Sequence, residues 1–249
     1  RNQIPESDET NNIGASLDRA AVDAQLLELG VPGLGTLSRG QSLYYKVQVP
    51  AGETLLVTFD SGAEEAFTEL YVSFQQMPSR TRSDFAAIEP FQPDQRVVVP
   101  LTQEGTYYLL VYGNQDSGAG QAYEILARLV DFSVFDTTYG RGGTAGDLTL
   151  KINGAKFDRT VTASLTNGAG VALAARAYYF QGSTRLYATF DLREVPPGQY
   201  DVVVENSQGE RATVSGGLEV VTAAPGRPVA QVDAPSSVRR NTVYSFRVF

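Results

Sequence analysis

The chain contains no histidine, no cysteine and no tryptophan, and only one methionine. Without histidine or cysteine, its 249 residues cannot build a Ser-His-Asp triad, a Cys-His nucleophile, a His-ligated metal or a thiolate zinc site. What remains is oxygen chemistry. Positive charge is also short: 20 Lys and Arg stand against 28 Asp and Glu, giving a net charge of −8, and Lys46, Lys151 and Lys156 are the only lysines. Such a surface is ill-suited to tracking phosphates or anionic lipids, so no nucleic-acid partner is expected. No run approaches the roughly 18 apolar residues of a membrane-spanning helix, and no membrane insertion is expected. The absence of cysteine fits a bacterial extracellular protein that avoids thiols, and fits many cytosolic chains as well.

What is present is a hydrophobic fraction of 42% together with 24 Gly and 12 Pro, enough apolar mass for cores and enough punctuation for many turns. At about 100–200 residues per domain, the length predicts two domains and part of a third. From Leu37 onward the apolar period is two. Tyr45/Val47/Val49 and Leu55/Val57/Phe59 flank Pro50-Ala-Gly-Glu53 as a hairpin, followed by Leu70/Val72/Phe74, Val97/Val99/Leu101, Tyr107/Leu109/Val111 and Tyr123/Ile125/Ala127/Leu129. The stretch from Gln75 to Pro93 has no such pattern and predicts a long loop.

A second series begins after Asp131: Leu148/Leu150/Ile152, Val161/Ala163/Leu165, Leu186/Ala188/Phe190, Tyr200/Val202/Val204 and Leu218/Val220. Asn153-Gly154 and Asn167-Gly168 each read as a tight turn. Short, evenly spaced strands predict an all-β fold of two tandem antiparallel β-sandwiches, jelly-roll-like and then immunoglobulin-like. The predicted domains are 1–131 and 132–222. Residues 223–249 then read as a linker, Ala223-Ala-Pro-Gly-Arg-Pro228, and an incomplete third β module whose first strand is Ser245-Phe-Arg-Val-Phe249. That ending, and a start at Arg1, lead us to expect a piece of a longer multidomain protein. One helix is predicted, Ser16 to about Leu29, in competition with an extended reading of Gln25–Leu29.

Glu104-Gly-Thr-Tyr107 and Pro197-Gly-Gln-Tyr200 echo each other, each placing Gly two residues before a Tyr that opens a strand. Each ring is expected inside its sandwich, its hydroxyl bonded back to the preceding loop.

Gly35-Thr-Leu37, Tyr44-Tyr-Lys-Val-Gln-Val-Pro-Ala-Gly52, Glu69-Leu-Tyr-Val72 and Gly105-Thr-Tyr-Tyr-Leu-Leu-Val-Tyr112 together make residues 9–130 resemble the bacterial pre-peptidase C-terminal domain. That resemblance implies a noncatalytic β-sandwich appended to secreted peptidases and other exported proteins, and with it a secreted or bacterial cell-surface location. The family's Asp-Leu-Asp-Leu-like strand is replaced here by Thr68-Glu-Leu-Tyr71. Ile152-Asn-Gly-Ala-Lys-Phe157 and Gly198-Gln-Tyr-Asp-Val-Val-Val-Glu-Asn-Ser-Gln-Gly209 make residues 132–221 similar to IPT/TIG-type immunoglobulin-like modules.

Pro5-Glu-Ser-Asp-Glu-Thr-Asn-Asn12 gathers Glu6, Asp8, Glu9, Asn11 and Asn12, the hard oxygen ligands that Ca²⁺ takes in sets of six to eight. The run resembles the calcium-holding Glu-x-Asn-Asp segment of collagenase-type members, and without the 12-residue EF-hand spacing it reads first as a solvated acidic terminus. Calcium is thus the one candidate ion, and no cofactor is required. Paired acids such as Glu64 with Glu65, or Asp191 with Glu194, could flank a glycosidic bond only at a suitable separation. Gly140-Arg-Gly-Gly-Thr-Ala-Gly146 imitates a phosphate-cradling loop but precedes a strand pattern, and reads as a flexible lead into the second sandwich. Tyr44, Tyr108 and Tyr112 are the candidate ligand-binding aromatics, since stacked sugars and proline-rich polymers favour such faces.

The sequence therefore predicts no enzyme. It predicts an accessory or spacer region whose partners are neighbouring domains of its parent protein and an extracellular polysaccharide or protein. The alternative is a module binding polysaccharide or collagen-like polymer on behalf of a secreted peptidase or glycosidase.

Overall fold

In a computed structural model the described residues are 23–63, 67–88, 92–115, 120–138, 140–168, 170, 172–223, 232–233 and 247–248. Every regular element among them is a strand. The chain divides into two compact units, Arg1–Leu129 and Val130–Phe249.

The first unit contains β1 (Gln25–Leu26), β2 (Gly33–Leu37), β3 (Ser42–Val49), β4 (Leu55–Ser61), β5 (Phe67–Phe74), β6 (Phe85–Ala87), β7 (Gln95–Val99), β8 (Gly105–Gln115) and β9 (Gln121–Leu129). One sheet runs β1-β3-β8-β5-β6, the other β2-β9-β4-β7. The period-two alternation turns Tyr45, Val47 and Val49 of β3 and Leu109 and Val111 of β8 toward Leu55, Val57 and Phe59 of β4 and Ile125 of β9. These side chains form one closed core. Each such side chain, once buried, contributes about 1.5–3 kcal/mol. The Tyr45 and Tyr123 hydroxyls bond to each other inside the core, tying β3 to β9 across the sheets, and burial and that bond both raise the Tyr45 phenol.

The helix expected over Ser16–Leu29 is absent from its described part, residues 23–29, while residues 16–22 lie outside the described residues. Instead β1 pairs parallel to β3, the Leu27 amide donates to the Lys46 carbonyl at 2.9 Å, and Leu27 enters the core. Gly30, at φ 79°, then turns the chain into β2. A buried leucine and edge pairing outweigh helix preferences of a few tenths of a kcal/mol per residue. The expected long loop after Phe74 is likewise interrupted, because β6 pairs with Leu70–Val72 and sets Phe85 against the core.

The second unit contains β10 (Ser133–Thr138), β11 (Arg141–Gly143), β12 (Asp147–Ala155), β13 (Thr162–Thr166), β14 (Ala172–Ala174), β15 (Ala177–Gly182), β16 (Arg185–Asp191), β17 (Gly198–Glu205) and β18 (Arg211–Val221). Its sheets run β10-β12-β16-β15 and β11-β18-β17-β13-β14. Between them Leu150, Ile152 and Phe190 meet Leu165, Val202 and Leu218 in a second core. Farther along, β19 (Val232–Asp233) pairs antiparallel with β20 (Arg247–Val248).

Two glycine readings change here. Asn153-Gly154 is no turn, since β12 continues through it to Ala155. Gly154 stands there because a Cβ would collide with the Phe157 ring and the Ser133 carbonyl. The loop Gly140–Gly146 is not a flexible lead either: β11 pairs parallel with β18, and a Cβ on Gly142 would lie 2.6 Å from Leu148 and 2.7 Å from Leu192. Asn167-Gly168 does sit in a turn, closed by the Gly170 amide on the Asn167 carbonyl at 3.1 Å. Both expected tyrosine pins form. Tyr107 Oη accepts from the Gln103 amide at 2.9 Å, and Tyr200 Oη donates to the Pro196 carbonyl at 2.8 Å, each ring being buried.

Candidate functional site

Tyr108 and Tyr112 lie four residues apart on β8 and so share its outer face, away from the core that takes Tyr107, Leu109 and Val111. On neighbouring β3, Tyr44 stands opposite Leu110, between the rows Ser42–Tyr112 and Lys46–Tyr108. The register thus gathers the three sequence-predicted aromatics around Leu110, each half-buried. Their partners in adjacent Tyr-Tyr pairs, Tyr45 and Tyr107, point inward and are buried.

The same face continues onto β5, where Glu69 is opposite Tyr112 and Tyr71 is opposite Leu110. A carboxylate on a sheet face normally remains in water, yet Glu69 is only 5% exposed. It is fully used. Its Oε2 accepts from Tyr71 Oη at 2.7 Å and Arg80 Nε at 2.6 Å, while Oε1 accepts from Arg80 Nη2 at 2.7 Å and Asn114 Nδ2 at 2.8 Å. The Arg80 guanidinium also lies 3.9 Å from the centre of the Tyr112 ring, a cation–π contact.

Arg80 arrives there because the segment after β5 folds back as a strap. It starts at Gln75, with φ 58° and its amide on the Thr106 carbonyl at 2.9 Å, and returns at Asp84, whose carboxylate accepts from the Phe74 amide at 2.8 Å. Burial works to raise the Glu69 carboxyl, but the bonds from Arg80 and Tyr71 and the Arg80 charge outweigh it and hold the group below its ordinary range. Burial, then the bond to Glu69, pushes the Tyr71 phenol up to about 12. A carboxylate saturated by four donors and held ionised is a poor proton shuttle. Its work is to hold the strap to the sheet and fix the Tyr112 ring.

The sequence reading missed Arg80, because the pair is eleven residues apart and one partner lies in a stretch without periodicity. The available signal was Glu69 itself, a charge placed within Thr68-Glu-Leu-Tyr71.

Glu6, Asp8, Glu9, Asn11 and Asn12 lie outside the described residues, as do Glu64 and Glu65. Among the described residues no group of three or more acids could hold a metal ion. Asp191 is engaged by Arg193 at 3.0 Å. An open hollow of about 560 Å³, lined by Gln48, Val49, Pro50, Glu104 and Gly105, offers a single carboxylate. In the second unit, Tyr178 bonds the Ala163 backbone, whereas Tyr179 is 65% exposed with its ring 5.9 Å from that of Tyr187. Tyr179 is therefore wetter than Tyr44, Tyr108 and Tyr112.

Residues 41–113, from the start of β3 into β8, match the family model for the bacterial pre-peptidase C-terminal domain. No curated protein matches the chain. Among solved structures, the chain is similar to the pre-peptidase C-terminal domain of collagenase from Bacillus anthracis, at 15% identity and a TM-score of 0.36 over 45% of this chain and 100% of that one. It is similar to PliG, a periplasmic inhibitor of g-type lysozyme from Aeromonas hydrophila, at 15% identity and a TM-score of 0.33 over 43% of this chain and 100% of that one. Domains 4–9 of the surface layer protein SbsC align at 14% identity and a TM-score of 0.32 over 81% of this chain and 33% of that one.

Proposed function

We propose that the chain is a noncatalytic accessory region of an exported multidomain bacterial protein, spacing or displaying neighbouring modules outside the cell. The match of residues 41–113 to the pre-peptidase C-terminal domain carries this reading. Two features of the first unit support it. Its buried carboxylate is consumed by structural bonds, and its glycines and its Tyr107 pin serve close packing and a corner. The partners proposed are the parent protein's other domains and an extracellular polysaccharide or protein.

The second reading, a binding module for polysaccharide or collagen-like polymer, is favoured by the half-buried group Tyr44, Tyr108 and Tyr112 on one sheet face, with Lys46 beside it. Calcium at Glu6, Asp8, Glu9, Asn11 and Asn12 belongs with this reading as an aid to binding. The test of both is retention of the chain on cellulose, chitin, peptidoglycan and collagen, each with Ca²⁺ and with chelator. An accessory spacer whose contacts are with neighbouring domains passes through every column. Retention on one polymer, lost in Tyr108→Ala and in Tyr44→Ala, replaces the spacer by the binding module, and a melting temperature that rises with Ca²⁺ except in Glu9→Ala assigns the acidic segment to the ion.

A further inference from the structure

The space around the glycine differs between the two Asn-Gly pairs, and that difference has a chemical consequence. Spontaneous amide loss from asparagine requires the following backbone nitrogen to reach the Asn side-chain carbonyl carbon, which demands a free amide and room for the backbone to rotate. Glycine, having no side chain, permits this approach best.

At Asn153-Gly154 both requirements fail. The Gly154 amide donates to the Thr184 carbonyl at 3.0 Å, and the Asn153 amide group donates to Asp136 at 2.5 Å. The space around Gly154 is filled by the Phe157 ring and the Ser133 carbonyl, in the middle of a sheet. At Asn167-Gly168 the chain has just left β13. Gly168 is exposed, the space where its Cβ would be is open for 4 Å, and the Asn167 carbonyl that closes the turn becomes one of the two imide carbonyls of the ring.

We propose that Asn167 is a site of spontaneous deamidation, and that Asn153, with the same sequence neighbour, is protected by the fold. The Gly168 nitrogen attacks the Asn167 side-chain carbonyl carbon, forming the N–C bond of a five-membered succinimide. The C–Nδ2 bond breaks and ammonia leaves, carrying the proton lost by the Gly168 nitrogen. Water then opens the ring at either carbonyl, giving aspartate or isoaspartate, with no electron transfer at any step. The isoaspartate product routes the main chain through the former side chain, adding one backbone carbon at the turn. The element that follows is β14, an edge strand of three residues paired with Ser164–Thr166 of β13, so β14 is the element the product loosens.

The experiment is native incubation of the whole chain in mildly alkaline buffer, followed by peptide mass spectrometry at both sites, with a urea-unfolded sample in parallel. The expected result is conversion at Asn167 in the native chain more than about tenfold faster than at Asn153, because a central strand must open before it reacts, and conversion at both sites in urea. Gly168→Ala slows conversion at Asn167 and leaves Asn153 unchanged. Hydrogen exchange at 172–174 rises with the isoaspartate fraction. Equal native rates at the two sites, or an Asn167 that stays intact while the unfolded chain converts, would overturn the proposal.

Discussion

At single residues, the sharpest imbalance is Gln121, which is 3% exposed and whose Nε2 and Oε1 both lack a hydrogen-bond partner among the described residues. A buried amide left unsatisfied costs about 1–3 kcal/mol. Replacing it with a leucine of similar volume removes that cost while keeping the space filled, so Gln121→Leu is expected to raise the melting temperature by about 4 °C or more. A lower melting temperature on thermal scanning would mean that the amide has a partner in solution. Tyr107 and Tyr200 lie on the opposite side of the ledger. Phenylalanine at either keeps the buried ring and loses only the bond to the Gln103 amide or the Pro196 carbonyl, an expected loss of about 1 kcal/mol each. The two sit in separate units, so their effects should add in the double variant, and urea unfolding at each unit's transition checks both values.

Among the elements, the strap from Gln75 to Asp84 is bound to β5 by the Arg80–Glu69 ion pair and, at its return, by Asp84, and the pair's burial is unequal. The Glu69 side chain is 7% exposed and that of Arg80 45%. Removing the cation is therefore worse than removing the anion, because Arg80→Ala leaves a buried carboxylate short of donors while Glu69→Leu leaves an arginine that can turn to water. Arg80→Ala should cost about 2 kcal/mol, below the 3–5 of a fully buried pair because solvent screens the guanidinium, and adding Glu69→Leu should recover part of it. A double variant less stable than Arg80→Ala would contradict this. Glu69 titrates below its unfolded value, so its contribution is complete at neutral pH and fades as acid takes the medium through and below the ordinary glutamate range near about 4.3. The stability gap between the chain and Glu69→Leu should shrink over that window in melts taken at successive pH values. None of this was legible beforehand, because period two reports which face a residue takes and says nothing of which loop folds over that face. The strands themselves were legible, since Tyr45/Val47/Val49 and its counterparts alternate without interruption. Asn153-Gly154 misled for a related reason. Dipeptide chemistry signals a turn, but the strand of Leu148, Leu150 and Ile152 runs on through Gly154 in the same phase, and the glycine answers to the Phe157 ring. Gly154→Ala should accordingly cost about 1–3 kcal/mol through overpacking, whereas the same change at Gly168, in open space, should leave stability nearly untouched.

At the level of the whole chain, the two cores share no residue: one closes among β2 to β9 with Leu27, the other among β12 to β18. A sandwich of roughly a hundred residues buries enough surface to fold alone. The consequence is independence. Chains cut between Leu129 and Val130 should each unfold cooperatively on heating, with the first fragment sensitive to Arg80→Ala and the second to Tyr200→Phe, and neither responding to the other's substitution. If one fragment is unfolded when isolated, its stability depends on contacts beyond its own core, and the two-unit division fails as a folding description. If both fold, the same fragments separate the functional readings, since polymer retention through Tyr44, Tyr108 and Tyr112 must then follow residues 1–129 alone. Retention carried by residues 130–249 would move the binding surface to the exposed ring of Tyr179 and leave the first sandwich as the spacer.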